Sequence, residues 1–160
     1  MPNLDEIAAR IEASLPVISK AIADAQVVAC KGVEADMLYR IFNEGEGTTK
    51  RIGRYKTNKK GKYKGSSQYI EKRKAKGLQT NYKDLQYSGD LFNSLQTGSL
   101  GGIPTVGIVN EKSAKIAEYQ EEQTGIKIFQ PTSEEVSSNT EKARRFLFDK
   151  LGEVVQSWNE

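Results

Sequence analysis

Leu4, Ile7, Ala8, Ile11, Leu15, Ile18, Ile22 and Ala25 recur at steps of three and four. That spacing puts them on one face of a helix, and residues 1–30 are read as an N-terminal amphipathic helix. Asn3 is placed to cap it, with Glu6 three residues on completing a capping box. Pro16 falls inside the pattern and predicts a kink or a division near Ser14. The face can pack on the chain's own sheet or on a neighbouring subunit, and periodicity leaves both open. Beyond it, "VVAC" reads as a last helical turn or a short strand, Gly32 as a break, and "EADMLYRIF" as a second short helix or a strand around Leu38–Phe42.

The turn cluster "NEGEG" at 43–47 then opens a segment with little apolar period, punctuated by Gly53, Gly61 and Gly65. Residues 44–66 are read as a long exposed basic loop or arm, the kind of loop that carries function or disorder. From Ser67, "SSQYIEKRKAKG" predicts a short helix with Ser at its N-cap and Lys/Arg in the last turn, matched to the helix dipole. Asp90–Ser94 suggests a helical turn. Phe92–Thr97 and Thr105–Val109 suggest two strands joined by a glycine-rich turn at 98–102. "SAKIAEYQEEQTG" predicts a helix capped by Ser113 and closed by Gly125, and "IKIF" a short strand. After Pro131, Thr132 or Ser133 caps a final helix whose stripe runs Val136, Thr140, Ala143, Leu147, Leu151, Val154 and Trp158. The expected architecture is one α+β domain over 1–160. A small antiparallel β-sheet is packed by an N-terminal helix and a C-terminal helix, with residues 67–160 forming the α+β body.

Charge changes this picture more than composition does. The chain is 37% hydrophobic and has a net charge of +3, but Lys50 to Lys76 holds twelve Lys or Arg against the single acid Glu71. That segment therefore carries +11 and the remainder −8. A basic arm on an acidic body suits self-assembly as well as nucleic acid. One cysteine, Cys30, excludes an internal disulfide and points to a reducing compartment. No signal peptide is read at the N-terminus, and no apolar run is read as approaching the length of a membrane span.

The absence of histidine removes the commonest general base and metal ligand. Glu118 and Glu122 share a helical face, and a solvated acidic surface is the simpler reading than a metal or acid/base pair. Ser94 and Ser99 have no base to activate them, and "GSLGG" lacks the Lys-Ser/Thr of a phosphate loop. No enzyme, cofactor or metal site is expected. The candidate contact residues are in the arm: Lys50, Arg51, Arg54, Tyr55, Lys56, Lys59, Lys60, Lys62, Tyr63 and Lys64. Lysines outnumber arginines, which suits diffuse electrostatic contact over bidentate recognition. The tyrosines can stack on bases or anchor the arm in a neighbour's groove. Phosphate backbone, neighbouring protein and plain solvated loop all remain open on composition.

Four blocks carry a resemblance. They are a glycine-containing basic loop followed by Tyr69, Arg73 and Gly77; Leu85, Ser88, Gly89, Leu91 and Ser94 in an L-x-x-[ST]-G-x-L-x-x-S pattern; "VGI" with the helix ending "YQEEQTG", holding Gln120 and Gly125; and "IFQPTSEE" before the last helix. Over roughly Ile41 to Leu151 the chain resembles the tailed-bacteriophage virion-morphogenesis family, the tail-completion or head–tail joining neck proteins. It departs in having Tyr119 where many relatives have histidine, and in lacking their "PARPF"-like segment. The resemblance implies a non-catalytic structural protein of the virion, made in the host cytoplasm. It implies a homo-oligomeric ring, a hexamer or dodecamer, meeting portal, adaptor or tail proteins, with genomic DNA in the channel as a secondary contact and no membrane. A nucleic-acid-binding module using Lys50–Lys76 is the alternative.

Overall fold

The computed structural model describes residues 3–54 and 69–158. Helix α1 spans Leu4–Leu38 and continues as a π-helical segment, Tyr39–Glu44. Helices α2 (Tyr69–Ala75) and α3 (Asp90–Ser94) follow, then strands β1 (Leu95–Leu100) and β2 (Ile103–Ile108), helix α4 (Glu111–Thr124) and helix α5 (Ser133–Ser157). This is a mostly helical α+β fold with one two-stranded antiparallel sheet.

The capping box at the start of α1 forms as expected, with Asn3 and Glu6 exchanging hydrogen bonds. The helix then runs through both expected interruptions. Pro16 lies inside it, and so does Gly32. Gly32 is a point of close approach: a Cβ there would lie 2.0 Å from Asn139 Oδ1 on α5. The helix thus extends well past residue 30. Pairing of α1 with α5 uses small residues, Ser14, Ala21 and Ala25, as the buried line on α1. At the far end Trp158 donates its indole N–H to Ser14 Oγ (3.0 Å), and the Arg10 guanidinium donates to the Trp158 carbonyl.

Three consecutive residues of the π-helical segment, Arg40, Ile41 and Phe42, are buried. Successive side chains of a helix point in different directions around its axis, so this segment is surrounded on several sides. The core gathers there: Met37, Ile41, Phe42, Ile52, Leu91, Leu95, Ile126 and Ile128. Phe42 meets Phe92 edge-on at 5.3 Å, a geometry contributing about 1 kcal/mol beyond area burial.

The hairpin pairs Leu95 with Ile108 through Leu100 with Ile103, so the sequence-predicted strands are shifted: Phe92 belongs to α3, and the turn is Gly101–Gly102. It is fastened to α1 by the Thr97 amide on Glu34 Oε2 (2.6 Å) and by the Cys30 thiol on the Pro104 carbonyl (3.4 Å). Burial pushes the Cys30 thiol up, away from a reactive thiolate.

Two further expectations fail for identifiable reasons. Asn110, not Ser113, caps α4; its side chain accepts from the Ser113 amide. "IKIF" forms no strand, because the amides of Ile128 and Phe129 donate to one carboxylate oxygen of Glu121, at 2.7 and 3.0 Å, in place of a sheet partner. Of the two candidate caps for helix α5, Thr132 is the one used. Its first turns bury Glu135 and Asn139, one position off the apolar stripe, rejoin the stripe at the buried Ala143, and leave Val136 exposed.

Membrane length also needs correction. Leu4–Glu44 contains an 18-residue window long and apolar enough, by composition alone, to cross a bilayer, and only 17% of that window is buried.

Candidate assembly site at the root of the basic arm

The arm leaves the body through a tight knot. Glu46 pairs with Arg51 as an isolated antiparallel bridge, the Ile52 amide donates to the Gly45 carbonyl (2.8 Å), and the Thr48 amide to Lys127 (2.8 Å). Gly47 permits this crossing, since a Cβ there would sit 2.5 Å from Ile126 Cγ2. Ile52 is buried in the core, and the Lys83 amide donates to the Gly53 carbonyl (2.8 Å). Of the arm residues singled out from sequence, Lys50, Arg51 and Arg54 are exposed at this root. Arg51 Nε lies 3.3 Å from Glu46 Oε1. Tyr55, Lys56, Lys59, Lys60, Lys62, Tyr63 and Lys64 lie outside the described residues.

Helix α2 is where the chain re-enters. Ile70 and Arg73 face inward while Glu71, Lys72 and Lys74 stay exposed. Arg73 therefore does not belong to the exposed basic surface. Its Nη2 is 2.7 Å from both oxygens of Asp84, and its other nitrogens donate to the carbonyls of Gln79 (3.0 Å) and Gln86 (3.4 Å). Gln79 joins in, donating to Asp84 Oδ2 (2.7 Å) and to the Tyr82 carbonyl (2.8 Å). One buried cation thus folds the 78–86 segment around itself. Tyr82 closes the circuit by donating its hydroxyl to the Asn43 carbonyl at the other root. Tyr69 lies on Tyr87 at 5.1 Å between ring centres, and Lys76 Nζ sits 4.4 Å above the Tyr87 ring.

Most of the other positions that carry the resemblance fall into two groups. Tyr69, Leu85, Ser88, Leu91 and Gln120 line one shallow cleft between α2, α3 and α4. Gly77, Gly89 and Gly125 instead shape the chain at positive φ. Leu85 shares that left-handed region at φ 55°, rare for a leucine, and packs on the core. The Ser94 hydroxyl is taken up by the Asp90 carbonyl (2.6 Å) and the Ser113 hydroxyl (2.8 Å).

A second buried cation, Arg40, was not singled out by sequence reasoning. Its Nε donates to Glu135 Oε1 (2.7 Å) and its Nη groups to the carbonyls of Gln130 (2.9 Å), Glu46 (3.1 Å) and Ile128 (3.4 Å). It joins the arm's root to α5. The available signal was an arginine inside the apolar run "MLYRIF". Glu118 and Glu122 are both exposed, whereas their neighbour Glu121 is the one held, by two amides and by Lys127 Nζ (3.2 Å). Among the described residues no three His, Cys, Asp or Glu side chains converge as a metal-binding group.

Comparison with known proteins finds no matching family model, no matching curated protein and no matching solved structure.

Proposed function

We propose that the chain is a structural subunit of a tailed-phage neck, assembling as a homo-oligomeric ring that joins or completes the head–tail junction. The observation that carries this reading is the double tether of the basic arm. The chain leaves at Ile52–Gly53 and returns at Ile70–Arg73, Ile52, Ile70 and Arg73 are buried, and the Lys83 amide and the Arg73–Asp84 pair tie the two roots to one loop. The two ends of the basic insertion are thereby held at fixed places on the body. Its opposite-sign complement is the acidic remainder of the chain, so that arm and body form the two unlike patches that a closed ring requires. The short resemblance blocks over Ile41 to Leu151 supply the neck as the setting.

Deleting residues 55–66 tests this while sparing both roots. The expected outcome is an unchanged circular dichroism spectrum with loss of rings in negative-stain images and a fall in head-to-tail joining. Joining at normal yield sinks the proposal. Lys50, Arg51 and Arg54 at the root also suit phosphate contact. Binding of duplex DNA that falls steeply between 50 and 200 mM salt, with joining unaffected, would favour the nucleic-acid module instead.

A further inference from the structure

Leu4, Ile11, Leu15, Ile22, Ala29 and Val33 on α1 are separated by seven, four, seven, seven and four residues, so they form a single stripe along the helix. The stripe changes environment along its length. Val33 is 8% exposed and belongs to the core, but Ile22, Leu15 and Ile11 are 45, 52 and 45% exposed and Leu4 83%. The surface that α1 buries at its C-terminal end is therefore uncovered over its N-terminal half. Helix α5 runs antiparallel beside that half, with Trp158 at Ser14 and Asn139 at Gly32. Phe148 and Val155 are 64 and 52% exposed there. On α1 the stripe is turned about 80° from the line that meets α5, and on α5 these two residues are turned a little over 100° in the same rotational sense from the line that meets α1. Because the helices are antiparallel, equal turns bring both sets to the same side. The two helices present one continuous apolar face.

We propose that a second copy of this chain docks on that face, with the two α1 helices antiparallel. Three observations select this occupant. First is area: residues 4–28 span about 37 Å of helix, with α5 beside them from Ser14 onward, and at about 10 Å per helix the footprint is roughly 600 Å². Stable specific interfaces begin at about 600 Å² from each partner. Second, the stripe is self-complementary. Leu4, Ala8, Ile11, Leu15, Ile18 and Ile22 are spaced four, three, four, three and four, a sequence that reads the same in both directions. Antiparallel pairing sets Leu4 opposite the partner copy's Ile22 position and Ile11 opposite its Leu15 position, filling each apolar layer. Third, the other side of the helix pair carries Arg10, Lys20, Asp24, Lys150 and Glu153 around an open groove. A surface with that much charge does not sit among lipid chains, which sets aside the bilayer that length and composition alone would admit. The contact does not rest on the neck reading: it pairs chains, or pairs rings, whichever the arm assembles.

Sedimentation of wild type, Ile11→Glu and Leu15→Glu tests the pairing. Each variant is expected to halve the particle mass, while helical content by circular dichroism stays unchanged because both positions are already about half exposed. Register is read separately, in a Cys30→Ser background. Leu4→Cys mixed with Ile22→Cys should form a disulfide-linked dimer under mild oxidation, and neither alone should. A wild type that is monomeric at all concentrations, an unchanged mass in both glutamate variants, or crosslinking of Leu4→Cys with itself overturns the proposal. So does flotation of a monomeric wild type with phosphatidylcholine vesicles, which would assign the face to lipid.

Discussion

Arg73 and Asp84 are buried against each other, with side-chain exposures of 0 and 2% and a single guanidinium nitrogen 2.7 Å from both carboxylate oxygens. The pair sits where the chain returns from the basic arm, and it fixes the 78–86 segment that also holds Gly53. Its importance lies in what remains when one partner is removed. Asp84→Asn takes the carboxylate charge away from a buried guanidinium, a change that costs about 3–5 kcal/mol in comparable buried pairs. Urea denaturation should show a loss of that size. The double replacement Arg73→Met/Asp84→Leu should lose less than Asp84→Asn alone. A cost for Asp84→Asn under about 1 kcal/mol would mean the pair is solvated in practice.

Arg40 is a clamp of another kind, since its five donors reach one carboxylate and three carbonyls from separate segments. A lysine keeps the charge but has no planar fork to span them. Arg40→Lys is therefore expected to lower stability by about 2–3 kcal/mol, from one charged hydrogen bond and stranded buried carbonyls. Hydrogen exchange should quicken at the Thr48 and Ile52 amides, which lie in the loop it holds. Unchanged protection at both would show that the root is held without it.

Gly32→Ala sets helix propensity against packing. Alanine is favoured in a helix interior by about 1 kcal/mol. The new methyl would meet Asn139, whose side chain donates to Asp36 (2.6 Å) and the Glu135 carbonyl (2.8 Å) and accepts from Lys142 (3.0 Å). Moving it breaks those bonds, and overpacking costs a further 1–3 kcal/mol. Packing should win, giving a net destabilisation of about 1–3 kcal/mol and a lowered melting temperature. A raised melting temperature would show that α5 can shift aside.

Glu121 gives the protein an acid sensitivity of known sign. Burial alone pushes its carboxyl up, but the amides of Ile128 and Phe129 and the Lys127 ammonium outweigh that and hold it below the usual range. A lowered folded value means the stabilisation is complete above the unfolded value of about 4.3 and is lost as pH falls through the folded one. Glu121→Gln should therefore be less stable than wild type at pH 7, and the gap should close as pH is lowered from about 4.3 toward 3. Denaturation midpoints at the two pH values measure it; a gap of constant size would remove the carboxylate from this role.

Much of the fold was legible in local spacing. The Asn3 capping box, a cap at Thr132 or Ser133, the Asp90–Ser94 turn, the glycine-turned hairpin and the Gly125 stop each depend on residues within a few positions of one another. The same holds for the stripe of α1, whose period was visible although its exposure was not. What the sequence by itself determined is therefore a set of helices, one hairpin and a charge-segregated arm. Tertiary structure alone decided that Gly32 is a contact and not a break, since that depends on Asn139 more than a hundred positions away. It also decided that Arg40 and Arg73 are buried struts while Lys50 and Arg51 stay exposed. A charge enters the interior only where carboxylates and carbonyls from distant segments converge on it, and no local pattern records that convergence.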